Sequence, residues 1–216
     1  MSGSLQAVFQ NLRSFVPPLP NIGAAYEGGF FAGQIGVGGV ATHNLVIGPV
    51  ASAQNTSKTF KNAQTATTGA DSVIDGPQNT ADMVAGGSST VYPAAHFCND
   101  LVIGGFSDWY LPAKNELEVC YYNLKPTTDS NNTSSGTNTN AVPSRGSNYT
   151  SGTPAQTSSA DFKITGTEDF AEAYYWSSTE VSATNAWRAA FTSGYQDNTN
   201  GKDYPGHVRA VRRVAV

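Results

Sequence analysis

Between Pro126 and Ala160 the chain runs for 35 residues, of which 21 are Ser, Thr or Asn and only two, Asp129 and Arg145, carry a charge. No apolar periodicity survives in that stretch, so it is predicted to be a long irregular excursion with little core of its own. The helices and strands that build a core must come from the residues on either side. The whole chain shares the same bias: charged residues make up 13% of its 216 residues, against ~25% in ordinary soluble domains, and Ser, Thr and Asn total 60, with 22 Gly besides. Such a surface stays soluble through hydroxyls and amides. The net charge of −4 argues against nucleic acid as a partner, because phosphate binding needs a concentrated basic face. The cationic cluster Arg209, Arg212 and Arg213 is read as locally paired with carboxylates. The length suits one large domain or two small ones, and ~70% of the unfolded surface can be buried without metal or disulfide staples.

Residues 1–20 stand apart. Leu5, Ala7 and Phe9 alternate with polar neighbours, and Pro17, Pro18 and Pro20 then stop any regular element. The segment reads as a docking arm with a stiff linker or, equally, as an edge strand of the main domain. It shows no secretory pattern, and no run approaches the ~20 apolar residues of a membrane span, so membrane insertion is not expected. Residues 21–216 form the main domain. Residues 26–53 read as a β-hairpin turning at Gly38-Gly39. A short helix is expected over Asn79–Ala85. Ala94, Phe97, Cys98 and Leu101 then fall at helical spacing behind Pro93, and Leu117, Cys120, Tyr121 and Leu124 repeat the spacing behind Pro112. Order returns at Tyr174–Glu180. Trp187, Ala189 and Phe191 alternate up to a Ser193-Gly194 turn, and a last strand runs from His207 to Val216 with a break in alternation near Val211.

Catalytic and metal-ligating patterns are weak. His43, His96 and His207 lie far apart, and no metal-binding or nucleophile-elbow spacing occurs, so no cofactor, no metal and no enzymatic activity are expected. Cys98 and Cys120 fall on apolar helix faces and read as buried thiols, with a disulfide between them the alternative. Trp109 and Trp176 read as core anchors, and Tyr195 and Tyr204 as exposed.

Three blocks carry a family resemblance: GGFSDWYLPAKNEL at 104–117, YWSSTE at 175–180 and YPGHVRAVRR at 204–213. In that order the chain resembles the Lcl C-terminal, or DUF1566, family, which is similar in turn to the sulfatase-modifying-factor and C-type-lectin-like folds. The resemblance implies an α+β, C-type-lectin-like domain: two helices packed on twisted antiparallel sheet, with long loops on one side. The opening MSGSLQAVFQNLRSF is similar to an N-terminal segment of tailed-phage virion proteins. Together the two resemblances imply a virion protein, a tail-fibre or tip adhesin. Residues 1–20 would dock on other virion proteins, and the domain would meet a host-surface protein or glycan. A decoration protein of the same fold is the alternative, and a homo-oligomer is compatible with either. The chain lacks the calcium-lectin motifs and the C-terminal cysteines of the sulfatase-modifying enzymes.

The resemblance places the ligand surface on the late hairpin, roughly Trp187 to His207. If Trp187, Ala189 and Phe191 point inward, period-two alternation turns Arg188, Ala190 and Thr192 outward, and Tyr195, Asp197, Asn198, Tyr204 and His207 extend the patch. Arginine and tyrosine on a polar rim are the residue types that dominate binding hot spots.

Overall fold

The computed structural model describes residues 18–216. The arm proposed for residues 1–20 therefore lies, but for its last three residues, outside the described residues. The described residues fold as α+β with two five-stranded sheets. The first hairpin pairs β2 (Gly29–Val37) with β3 (Val40–Ile47), and β1 (Ala25–Tyr26) adds to the outer edge of β2. Gly38 and Gly39 make the turn with φ of +58° and +80°, the left-handed pair that a two-residue hairpin turn requires. A single helical turn, α1 (Val50–Ala53), leads into β4 (Gln54–Lys58).

Three further helices follow. In α2 (Gly76–Gly86) the Asp75 side chain caps the first turn by accepting from Gln78 N, and Pro77 occupies the first turn, where no intrahelical donor is needed. Pro93 opens α3 (Pro93–Asn99) in the same way. In α4 (Lys114–Leu124) the Glu116 carboxylate reaches back to accept from Ala113 N at 2.8 Å. The two-residue β5 (Ala141–Val142) joins β2 from inside the excursion. A 3-10 turn at Ala160–Phe162 precedes β6 (Tyr174–Glu180), β7 (Ala186–Ala190) and β8 (Gln196–Asp197).

The final strand divides into β9 (Gly206–Arg209) and β10 (Val211–Ala215). The break in alternation near Val211 marks a change of sheet: β9 lies between β4 and β6, whereas β10 pairs with β3. Ala210, between them, donates to Ala53 O and accepts from Gly48 N, so no backbone group is lost at the crossover. All pairings are antiparallel except β6 with β9, which run parallel where Tyr175 meets His207.

The β6 strand is buried on both faces. Tyr175 points into a cluster with Leu117, Tyr121, Leu124, Phe170 and Phe191, and Trp176 points into a second cluster with Phe60, Met83, Trp109 and Leu111. Helix α4 closes the first cluster and packs on β2. Gly33 permits that approach: its φ is +128°, and a Cβ there would lie 2.3 Å from Asn123 Nδ2. Cys120 belongs to the first cluster and Cys98 to the second, and both are free thiols.

Candidate functional site

Along β7 the inward side of the predicted alternation is seen at Ala189 and Phe191. Phe191 is fully buried, stacked on Phe170 at 3.9 Å and edge-on to Tyr121, and Ala189 is buried beside it. Trp187 on the same face stays half-buried, with the Lys114 ammonium 4.5 Å above its ring. The opposite face is less open than expected. Arg188 stacks on Tyr174 at 3.9 Å, and its Nε and Nη2 both lie 2.8 Å from Asp197 Oδ2. The register of β7 and β8 sets these two charges opposite one another on one face, and they neutralise each other there. Asp197 is therefore buried rather than exposed. Burial by itself would raise its pKa, but donation from Thr199 N and Oγ1 and from Arg188 outweighs that, and the carboxyl sits below its ordinary range. Ala190 is also buried, because the turn folds back over the strand end: Gly194 N donates to Ala190 O, and Ala190 N donates to Tyr195 O.

The other predicted residues separate into two places. Thr192 and Tyr195 lie half-exposed at the Ala190 end of β7. The loop carrying Tyr204, which is 59% exposed, attaches at the other end, where Gly201 bridges Asn185 and Lys202 N donates to Thr184 O. Five strand residues separate the two ends, about 17 Å. Asn198 is exposed just beyond the Arg188–Asp197 pair. His207 is half-buried in the seam between sheet strands, its ring 5.1 Å from that of Tyr175. Burial pulls its pKa below the ordinary 6.5. The single continuous patch expected from sequence is thus two patches with a neutralised ion pair between them.

The excursion supplies what the hairpin lacks. Asn132 N donates to Ser193 O, and Gln196 N donates to Ser135 Oγ, so residues 131–136 pack directly on the 191–196 turn. Contrary to the sequence expectation, the excursion has an interior of its own, made of polar side chains. Asn131 Nδ2 donates to Thr150 O, Ser151 O and Pro154 O, and its Oδ1 accepts from Tyr121 Oη at 2.7 Å. The Lys125 ammonium donates to Asp129 O and Pro154 O. Fully buried Glu118, on α4, accepts from Tyr149 Oη at 2.7 Å and Asn138 Nδ2 at 2.5 Å and pairs with Arg145. Between Tyr122, Arg145, Tyr149 and the loop 144–150 lies an open groove of about 330 Å³.

Sequence reasoning passed over this region because its composition reads as solvated loop. The one available signal was its two charges, Asp129 and Arg145, one of which proves to be the partner of a buried carboxylate.

The three sequence blocks, by contrast, build the interior. Arg212 forms a two-bond pair with Asp108 and lies 3.7 Å over the Phe106 ring. Glu116 is completely buried and accepts from Tyr110 Oη at 2.5 Å and Arg213 Nε at 2.7 Å. Burial raises the Glu116 pKa, and these donors, Arg213 foremost, oppose that rise. Arg209, buried beside Phe170, pairs with Glu168 at 2.8 Å, and burial lowers its pKa to about 10. Thr179 Oγ1 accepts from Lys114 N at the start of α4, and Ser178 Oγ accepts from Asn79. The blocks are the fold's skeleton, with each of their three arginines paired to a carboxylate. A family model for the Lcl C-terminal domain matches residues 54–212, which takes in the first two blocks and all of the third but Arg213.

The chain belongs to the Lcl C-terminal domain family. The matched Lcl C-terminal domain begins at β4 and ends inside β10, so the first hairpin precedes it in sequence yet completes the sheet to which β10 belongs. Among solved structures, a fimbrial protein from Bacteroides ovatus ATCC 8483 is similar at 18% identity with a TM-score of 0.44, over 78% of this chain and 35% of that one. The chain thus spans about a third of that protein's length, and the likeness bears no weight for function. No curated protein matches the sequence. Among the described residues, no group of three His, Cys, Asp or Glu side chains is placed to hold a metal ion, and no helix is long and apolar enough to cross a membrane.

Proposed function

We propose that the chain is a recognition module of a tailed-phage particle. Its C-type-lectin-like Lcl C-terminal domain binds a host-surface protein or glycan, and residues 1–20 dock it on other virion proteins. The observation that carries the binding role is the joining of the 191–196 turn to the excursion. There Thr192 and Tyr195, together with exposed Ser, Thr and Asn side chains, are held on an internally bonded frame whose charges pair inward. Rigid aromatic contact area among adaptable hydroxyls and amides is the composition that binding surfaces use. Burial pushes both thiols far above their ordinary pKa, which leaves the chain's two cysteines poorly suited to act as nucleophiles. The placement on a phage rests on the resemblance of the first fifteen residues.

Fluorescently labelled chain should adsorb saturably to cells of the phage's host, and antibody against it should label the particle at its tail. Labelling of the particle without adsorption to cells would favour a decoration role. Absence of the chain from purified particles would refute the virion reading.

A further inference from the structure

The groove in the excursion has the chemistry of a site for an uncharged sugar. One side is flat and partly aromatic: the Arg145 guanidinium lies 3.9 Å over the Tyr122 ring, and the Tyr149 ring stands 6.3 Å from that of Tyr122. The other side is the exposed loop bearing Ser144, Ser147 and Asn148. Serine hydroxyls and a primary amide both donate and accept, so they suit ligand hydroxyls, which do the same. Asn148 Oδ1 is engaged by Thr137 Oγ1, which orients the side chain and leaves its amide hydrogens for a ligand. The Arg145 Nε is buried and has no hydrogen-bond partner among the described residues. The volume, about 330 Å³, lies at the lower end of small-ligand sites, which run to ~1,000 Å³.

Charge decides the class of ligand. The groove's one cation, Arg145, is already paired with Glu118, which has no exposure to solvent of its own. Glu118 neutralises that charge, so a sulfate or carboxylate finds little net positive field in the groove to offset its own desolvation. An uncharged polyhydroxylated ring needs no such field. It can lay its C–H face on the stacked Tyr122 and Arg145 and turn its hydroxyls to the 144–148 loop. We infer that this groove binds a neutral saccharide unit, with Tyr122 and Arg145 as the platform and Ser144, Ser147 and Asn148 as hydroxyl-reading groups. The inference rests on the reading of the chain as a recognition module and names the ligand class for it.

The test is saturation-transfer NMR on the full chain, with neutral gluco-, manno- and galacto-trisaccharides as probes and heparin as the polyanionic control. At least one neutral trisaccharide should bind, with an affinity unchanged by added salt. Ser147→Trp, which fills the groove from an exposed position, and Asn148→Ala should each weaken binding by at least about tenfold with the melting temperature unchanged. Binding of heparin alone, or neutral-sugar binding that Ser147→Trp leaves intact, would overturn the assignment. If no trisaccharide binds while labelled chain still adsorbs to host cells, the groove is not the site and the recognition reading stands. If neither occurs, both fail.

Discussion

From helix α4, Tyr121 meets Phe191 edge-on in a cluster of aromatic rings, whereas Glu118, three residues earlier, meets Arg145, Asn138 and Tyr149 in a polar network. The first contact belongs to the sheet-built part of the molecule and the second to the excursion. The difference follows from backbone bookkeeping. In β6 and β7 the ladder satisfies most N–H and C=O groups, which leaves the side chains free to be apolar. In 126–160 almost no ladder exists, so buried carbonyls must find donors elsewhere. Asn131 and Lys125 provide them, and a polar interior results. A segment rich in Ser, Thr and Asn can therefore be well ordered, provided a few long polar side chains organise its backbone.

Replacing Glu118 by Ala strips three partners at once and leaves Arg145 unpaired; a loss of about 3–5 kcal/mol is expected. Hydrogen exchange should show protection vanishing from 126–160 before it falls in β6 and β7. Trp176→Ala should cost a similar ~3–5 kcal/mol through its cavity, but with protection lost throughout the molecule. If the two variants gave the same exchange pattern, the contrast between the regions would be broken.

Asn131→Ala sharpens the comparison at smaller scale. It takes one donor each from the Thr150, Ser151 and Pro154 carbonyls and the acceptor from buried Tyr121 Oη, and should cost about 1–3 kcal/mol by urea denaturation. A change within error would mean that water replaces the amide without loss.

Acid offers a third probe, aimed at the sheet side. Because burial depresses the His207 pKa below 6.5, the unfolded chain takes up the proton first as pH falls. Its contribution is complete above pH 6.5 and declines as the pH drops from there through the folded value. His43 shifts in the same direction, so His207→Gln should flatten, without abolishing, the fall in melting temperature below pH 6.5. A slope identical to that of the unaltered chain would exclude His207 as a contributor.

The smallest effects are expected on the surface. Tyr195→Ala and Tyr204→Ala should each move stability by less than ~1 kcal/mol. Since only Tyr195 adjoins the excursion, only its loss should weaken adsorption to host cells. Equal weakening by both would reunite the two patches into one contact face.

Much of the sheet-and-helix framework could be read in advance. The i, i+3, i+4, i+7 spacing at Leu117, Cys120, Tyr121 and Leu124, the Gly38-Gly39 turn and the inward set Ala189 and Phe191 are local patterns, and each reports its own burial. The slip near Val211 was visible too, but not its meaning as a passage from one sheet to the other. The candidate surface was less accessible. Alternation correctly turned Arg188 and Ala190 away from the aromatic cluster, yet it carried no information about what lay across β8 or over the strand end. Asp197 and Ala190 accordingly proved buried.

By itself the sequence determined where regular structure can form, because propensity, turn chemistry and apolar period act over a few neighbouring residues. It also determined that the three arginines near the end need carboxylates. Only the tertiary structure decided which ones: Glu168 for Arg209, Asp108 for Arg212 and Glu116 for Arg213, the last two pairs bridging 104 and 97 positions along the chain. The excursion's order was decided in the same way. Asn131 and Asn138 look no different in composition from their solvated neighbours, and they become core only because helix α4 brings Glu118 and Tyr121 within hydrogen-bonding reach.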